Sequence, residues 1–265
     1  MRSKMMRTLF AAAAVAGLLA LPPSVARGAT ILFHGKNATA SAGSDGALLA
    51  RLQSLYGASN VTYMQGSAAA GDGSSAAGYD ALIISSTVNS GDVRYKYEDA
   101  TQGVMCWESA VFRQQAGEFN MSVGGSASTG HTQIDIVDPS HPLAAGLSGT
   151  VTVTSAAELM MYGTGALGGG VDLVASTTTG GYPAIFAADV GDALLGDGTP
   201  ENPSVAPGRR VMFFLHDTTF ANLTPDGLKS FDAAVAYVVP EPTTLALSLL
   251  TLVGLLGARG RRRRD

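Results

Sequence analysis

Five side chains in this sequence stand where they could do chemistry. Cys106 is the only cysteine, a thiolate nucleophile if an imidazole or a helix N-terminus lowers its pKa. His34, Glu108, His216 and Asp217 each close a run of apolar residues, in Thr30–His34, in Gly103–Glu108 and in Arg210–Asp217. Side chains at strand ends share one rim of a sheet. A His34/Glu108/His216/Asp217 cluster there could hold a metal or move protons. None of them has the tight spacing of a metal motif such as His-x-x-x-His, and neither metal nor cofactor is expected.

Other groups offer less. Asp189, Asp192, Asp197 and Glu201, flanked by glycines, form an acidic loop without the Asp-x-Asp-x-Asp-Gly register of a calcium site. Arg94-Tyr95-Lys96-Tyr97 is a basic–aromatic patch able to stack on a sugar, though exposed tyrosines on a loop or helix are the favoured reading. His141, before Pro142, reads as a loop-fixing residue. His131, after a Ser/Gly-rich stretch, reads as exposed, and Trp107 as a core anchor.

The elements that position these residues follow from periodicity. Thr30–His34, Asn60–Met64, Tyr79–Thr87 and Gly103–Trp107 read as strands. Their apolar runs are continuous rather than alternating, as expected of strands covered on both faces. Asp45–Gly57 carries Leu48, Leu49, Leu52 and Leu55 at helical spacing, and a helix is expected over Glu108–Gln115. Further strands are expected at Thr132–Val137, Val151–Thr154, Val171–Ala175, Ala184–Ala187 and Arg210–Leu215. Thr224 and Pro225 open a last helix, Gly227–Val238, as N-cap and first residue. Gly/Ser/Ala-rich stretches at 66–78, 122–130 and 163–170 read as loops. The order of elements predicts an α/β fold with a mostly parallel sheet.

Both ends of the chain look removable. Arg2, Lys4 and Arg7 precede an apolar Leu9–Leu21 and a small-x-small site before residue 30, which reads as a signal peptide over residues 1–29. At the other end, Pro240-Glu241-Pro242 is followed by an apolar run, Thr243–Ala258, shorter than the ~20 residues that span a relaxed bilayer. Arg259 and Arg261, Arg262, Arg263 and Arg264 come next, a block expected to stay on the cytoplasmic side. Residues 240–265 closely resemble the PEP-CTERM sorting signal of bacteria. That resemblance implies transient anchoring in the inner membrane, cleavage by an exosortase-type enzyme and delivery to the cell surface or extracellular matrix.

Between these ends, residues 30–239 hold 8 basic and 19 acidic residues, a net charge of −11. Such a surface repels phosphate backbones, which argues against a nucleic-acid partner. One cysteine permits no internal disulfide in an oxidising compartment, so burial alone must hold the core.

The succession of elements, with His141–Leu147 (HPLAAGL), Pro183–Leu195 (PAIFAADVGDALL) and Gly208–Val239, resembles the class I glutamine amidotransferase-like superfamily, and within it the ThuA-like branch. The resemblance implies a flavodoxin-like three-layer α/β sandwich. Amidotransferases of that superfamily use a cysteine on a strand-to-helix elbow, and Cys106 occupies that topological place. Its flanks, Val104-Met105-Cys106-Trp107-Glu108, lack the small residues that such an elbow requires. Cys106 therefore reads as buried and inert. The expectation is an exported, non-catalytic domain, with an extracellular polysaccharide as partner. The alternative is a sugar-acting hydrolase or isomerase-like enzyme using His216 with Glu108 or His34.

Overall fold

The computed structural model describes residues 28–40 and 44–240. The first half runs β1 (Ile31–Gly35), α1 (Ser44–Tyr56), β2 (Val61–Gln65), β3 (Ala81–Ile84), α2 (Ser90–Val93), β4 (Gly103–Cys106) and α3 (Ser109–Phe112). The second half runs β5 (Ser122–His131), β6 (Gln133–Ile136), β7 (Gly149–Thr152), β8 (Glu158–Leu167), β9 (Asp172–Thr177), β10 (Pro183–Ala188), β11 (Arg210–Met212) and α4 (Pro225–Val238). Nine strands form one sheet in the order β2-β1-β3-β4-β11-β10-β9-β6-β7, and β5 pairs with β8 in a separate ribbon.

The continuous apolar strands are buried on both faces. Ile31 and Phe33 of β1, Ile83 of β3, Met105 of β4 and Val211 of β11 point to one core, closed by Leu48 and Leu52 of α1 and by Phe231, Ala234 and Val235 of α4. Their neighbours Leu32, Leu82, Ile84, Val104, Cys106 and Met212 point to a second core with Val93, Val111 and Phe112 from the short helices. An ion pair between Arg51 and Asp232 ties α1 to α4. The N-cap of α4 is the expected one: Thr224 Oγ1 accepts the Gly227 N–H at 3.1 Å.

Three expectations need correction. The sheet is mixed rather than mostly parallel: β2, β1, β3, β4 and β11 run parallel, while β10, β9, β6 and β7 are joined by antiparallel pairings. The connection between β9 and β10 shows why, since residues 178–182 are too few for the crossover that parallel strands require. Stretches 122–130 and most of 163–170, expected as loops, are strands β5 and β8. Their small residues permit close approach rather than flexibility: a Cβ on Gly125 would lie 2.4 Å from the Ser109 carbonyl oxygen, and one on Gly163 would lie 3.1 Å from the Phe186 ring. The helix expected over Glu108–Gln115 is the single turn α3.

Among the described residues, no helix is long and apolar enough to cross a membrane. The expected signal peptide up to residue 27, and Glu241, Pro242, Arg259 and Arg261–Arg264 of the expected sorting signal, lie outside the described residues. Pro240 is exposed, directly after the buried Val238 and Val239 that end α4.

Candidate functional site

The carboxyl edge of the parallel strands is where open α/β sheets place their ligands. Three segments meet there: Ser85-Ser86-Thr87 after β3, Trp107-Glu108 after β4, and His216-Asp217 beyond β11. Strand β4 pairs with both β3 and β11, with Cys106 opposite Ile84 and Met212. That order brings Glu108 between the other two segments.

Glu108 and Asp217 are electrostatically coupled at this edge. Glu108 caps α3, its Oε1 accepting the Ala110 N–H at 3.1 Å. Burial, the largest cause, pushes its pKa up from 4.5 to about 7; the Asp217 charge adds to the rise, and the Ala110 N–H and Arg113 oppose it. Asp217 in turn accepts the Ser86 hydroxyl at 2.7 Å. Both residues are half-buried.

A second, more deeply buried network lies beside it. Asp45, in the first turn of α1, accepts the Ser85 hydroxyl at 2.8 Å through one oxygen and the Thr87 hydroxyl at 2.7 Å through the other. The Tyr63 hydroxyl stands 3.4 Å away. Gly35 makes room for this packing, because a Cβ there would lie 2.2 Å from the Tyr63 hydroxyl oxygen and 2.4 Å from Asp45. The network fastens α1 to β2 and to the end of β3.

The expected four-residue cluster does not assemble. Glu108 and Asp217 come together, but His34 points into the second core, where it is fully buried and its Nε2 shares a hydrogen bond with the Tyr97 hydroxyl at 2.8 Å. Its Nδ1 lacks a well-formed hydrogen bond. Desolvation, only partly offset by the Met64 backbone, lowers its pKa to about 4. His216 is half-buried; its N–H reaches Thr219 Oγ1 at 3.2 Å, and among the described residues no hydrogen bond joins its ring to Glu108 or His34. Period and spacing placed all four residues at strand ends but could not say which face each side chain takes.

Cys106 is 1% exposed, and burial pushes its thiol well above the usual range. Its nearest polar partners are the backbone groups of Glu108, whose N–H lies 3.4 Å from the sulfur. An imidazole partner of the kind that activates cysteine nucleophiles is absent among its hydrogen bonds. Trp107 is buried as expected. His141 fixes its loop, Nδ1 accepting the Leu143 N–H at 3.1 Å. His131, expected exposed, is buried with Nε2 2.7 Å from the Ser128 hydroxyl.

The basic–aromatic patch is spent on the fold: Arg94 binds the Ala116 carbonyl, Lys96 the Ala69 carbonyl and Tyr97 binds His34, leaving Tyr95 exposed. The acidic loop is used in turns and ion pairs. Asp189 pairs with Arg209 at 3.1 Å, and Asp197 accepts from Thr199. Among the described residues no three His, Cys, Asp or Glu side chains group as metal ligands do. A depression of about 260 Å³ lined by Asp72, Lys96, Asp99 and Gln102 lies at the opposite, amino edge of β3 and β4.

Ser86 and Asp45 were missed from the sequence. The signal was present for both: Ser85-Ser86-Thr87 turns polar at the end of an apolar strand, and Asp45 opens an amphipathic helix.

Neither a protein-family model nor a curated protein matches the chain. Among solved structures, a ThuA-like protein from Bacteroides uniformis is similar with a TM-score of 0.52 and 12% identity, covering 83% of this chain and 96% of that one. The N-terminal domain of mmIFT52 aligns with a TM-score of 0.48 and 10% identity, covering 80% of this chain and 98% of that one. The first likeness shows the fold alone, an α/β domain of the same architecture as that protein.

Proposed function

We propose that this is an exported protein, sorted through residues 240–265 to the cell surface or extracellular matrix, whose ThuA-like domain binds carbohydrate at the carboxyl edge without turning it over. The observation that carries the reading is the separation at that edge. Glu108 and Asp217, half-buried, present acceptors for sugar hydroxyls, while Cys106 and His34 are sealed in the core. Carboxylates accept hydroxyl protons in charge-assisted hydrogen bonds, which makes them effective sugar ligands. Export is supported by the charged and apolar patterning of both chain ends. An exosortase-type enzyme acting at Pro240-Glu241-Pro242 finds Pro240 exposed at the end of the fold.

The test is binding of soluble polysaccharides by the full chain and by Asp217→Ala, with reducing-end release measured on the same samples. Retention by the native chain, weakened about tenfold or more in the variant and without release of reducing ends, is the expected result. Release that depends on Glu108 would overturn the non-catalytic half of the reading.

One observation favours a second reading. A carboxyl group with a pKa of about 7 beside a second carboxylate is the arrangement of a general acid–base pair. In a sugar-acting hydrolase Glu108 would deliver the proton and Asp217 would face the sugar. Activity would then fall on the alkaline side as Glu108 ionises.

A further inference from the structure

A pair of aromatic rings, one from the β5–β8 ribbon and one from the β9–β10 turn, lies at the same rim. Tyr162 of β8 and Tyr182, in the turn before β10, stack with ring centroids 4.5 Å apart and planes within 12°. Tyr162 is buried at 8% exposure and forms the base, whereas Tyr182 is 42% exposed. The turn holds Tyr182 from both sides. Its N–H donates to Thr177 Oγ1 at 3.0 Å and its carbonyl accepts the Thr177 N–H at 2.8 Å. Gly180 and Gly181, at φ +86° and +63°, make the tight turn, and Gly180 leaves the space that the ring fills.

Its place relative to Asp217 follows from pairing. Strand β10 runs antiparallel to β11, with Phe186 opposite Met212 and Ala188 opposite Arg210, so the turn before β10 opens at the same edge of the sheet as the segment that follows β11. From the other side, the Met161 N–H donates to the Phe214 carbonyl at 2.9 Å. Phe214 precedes Asp217 by three residues, at most ~11 Å of chain. Glu158, at the start of β8, accepts from Thr218, the residue after Asp217, and from Asn222, adding a third carboxylate to the rim.

We propose that the Tyr162–Tyr182 stack is a second subsite of this rim, on which a ring of an extended, neutral polysaccharide lies while its hydroxyls reach Asp217 and Glu108. The inference rests on the carbohydrate-binding reading and deepens it. A rigid tyrosine face offers apolar area at little entropic cost, with polar groups beside it for orientation. The charge of −11 over residues 30–239 repels anionic polymers, and the apolar face of the stack beside hydroxyl acceptors suits a neutral sugar ring.

The experiment measures retardation of the full chain, held in a detergent without a sugar headgroup, in native gels cast with a soluble glucan, mannan or xylan. Alginate and polylysine serve as charged probes. Tyr182→Ala weakens retardation by the best neutral polymer about five- to tenfold, and Tyr182→Phe stays within about twofold. Tyr182→Leu, which keeps apolar bulk, loses as much as the alanine variant and guards against a folding artefact. Unaltered binding in Tyr182→Ala and Tyr182→Leu, with loss in Asp217→Ala, removes the subsite and leaves the carbohydrate reading standing. Retardation by polylysine or alginate alone, or by nothing, overturns both.

Discussion

Replacing Glu108 by Gln raises stability above pH 7 and leaves it unchanged well below pH 4.5. In the folded protein, burial first and the Asp217 charge after it hold the Glu108 carboxyl at a pKa of about 7, against 4.5 for an unhindered side chain. At about 1.4 kcal/mol per pH unit, the cost of ionising it in place approaches roughly 3 kcal/mol. Because the side chain is only half-buried, solvent screening reduces the expected effect to about 1–2 kcal/mol. The sign follows from proton counting. Between pH 4.5 and 7 the folded state holds a proton that the unfolded state has lost, so stability falls as pH rises through that window. Below pH 4.5 both states are protonated and the penalty vanishes. Glutamine keeps a carbonyl oxygen for the Ala110 N–H, so the cap of α3 survives. Urea midpoints of the native chain and of Glu108→Gln, compared at pH 5, 6, 7 and 8, isolate the effect as a difference that opens with pH. Parallel curves across that range would refute the burial and charge coupling assigned to Glu108.

Three further outcomes are expected. His34, buried with a pKa of about 4, stays neutral in the folded state until well below its usual 6.5, so it contributes stability that is lost as pH falls from 6.5 toward 4; its NMR titration and the acid limb of Tyr97→Phe check this. The Tyr97 change strips Nε2 of its partner and costs about 1–3 kcal/mol. Native Cys106 resists thiol reagents and reacts only at the unfolding rate, which a labelling time course in increasing urea measures. Gly125→Ala and Gly103→Ala each destabilise the fold through overpacking, by roughly 1–3 kcal/mol or more, seen as a lowered thermal midpoint, because the new Cβ would meet backbone oxygen at 2.4 Å (Ser109) and 1.9 Å (Val238).

The parallel half of the sheet was legible in the sequence because strands covered on both faces must be almost wholly apolar, as β3, β4 and, His34 apart, β1 are. Helix α4 was equally legible through Thr224, Pro225 and its apolar face. The β5–β8 ribbon was not, since Gly, Ser and Ala are chosen there for close approach to Phe112 and Phe186 and look like loop composition. Strand direction in the second half depends on connection length, and the short Thr177–Pro183 link already excluded a parallel pairing of β9 with β10. For the site, strand-end position was readable, but the face taken by each side chain was not. His34 follows Phe33, which faces the core of α1 and α4, so alternation sends it to the opposite core. The meeting of Glu108 with Asp217 required β4 beside β11, a pairing made across more than a hundred residues of chain. The Tyr162–Tyr182 stack depended on the unrecognised ribbon.

The location of carbohydrate binding tests the account most directly. Amide hydrogen exchange of the full chain, with and without a saturating neutral polysaccharide, reports which segments the ligand covers. Slowed exchange confined to residues 84–88, 107–110, 158–162, 180–183 and 214–219 is the predicted result. Protection at the amino edge, around Asp72, Lys96 and Gln102, with the carboxyl rim unchanged, would contradict it.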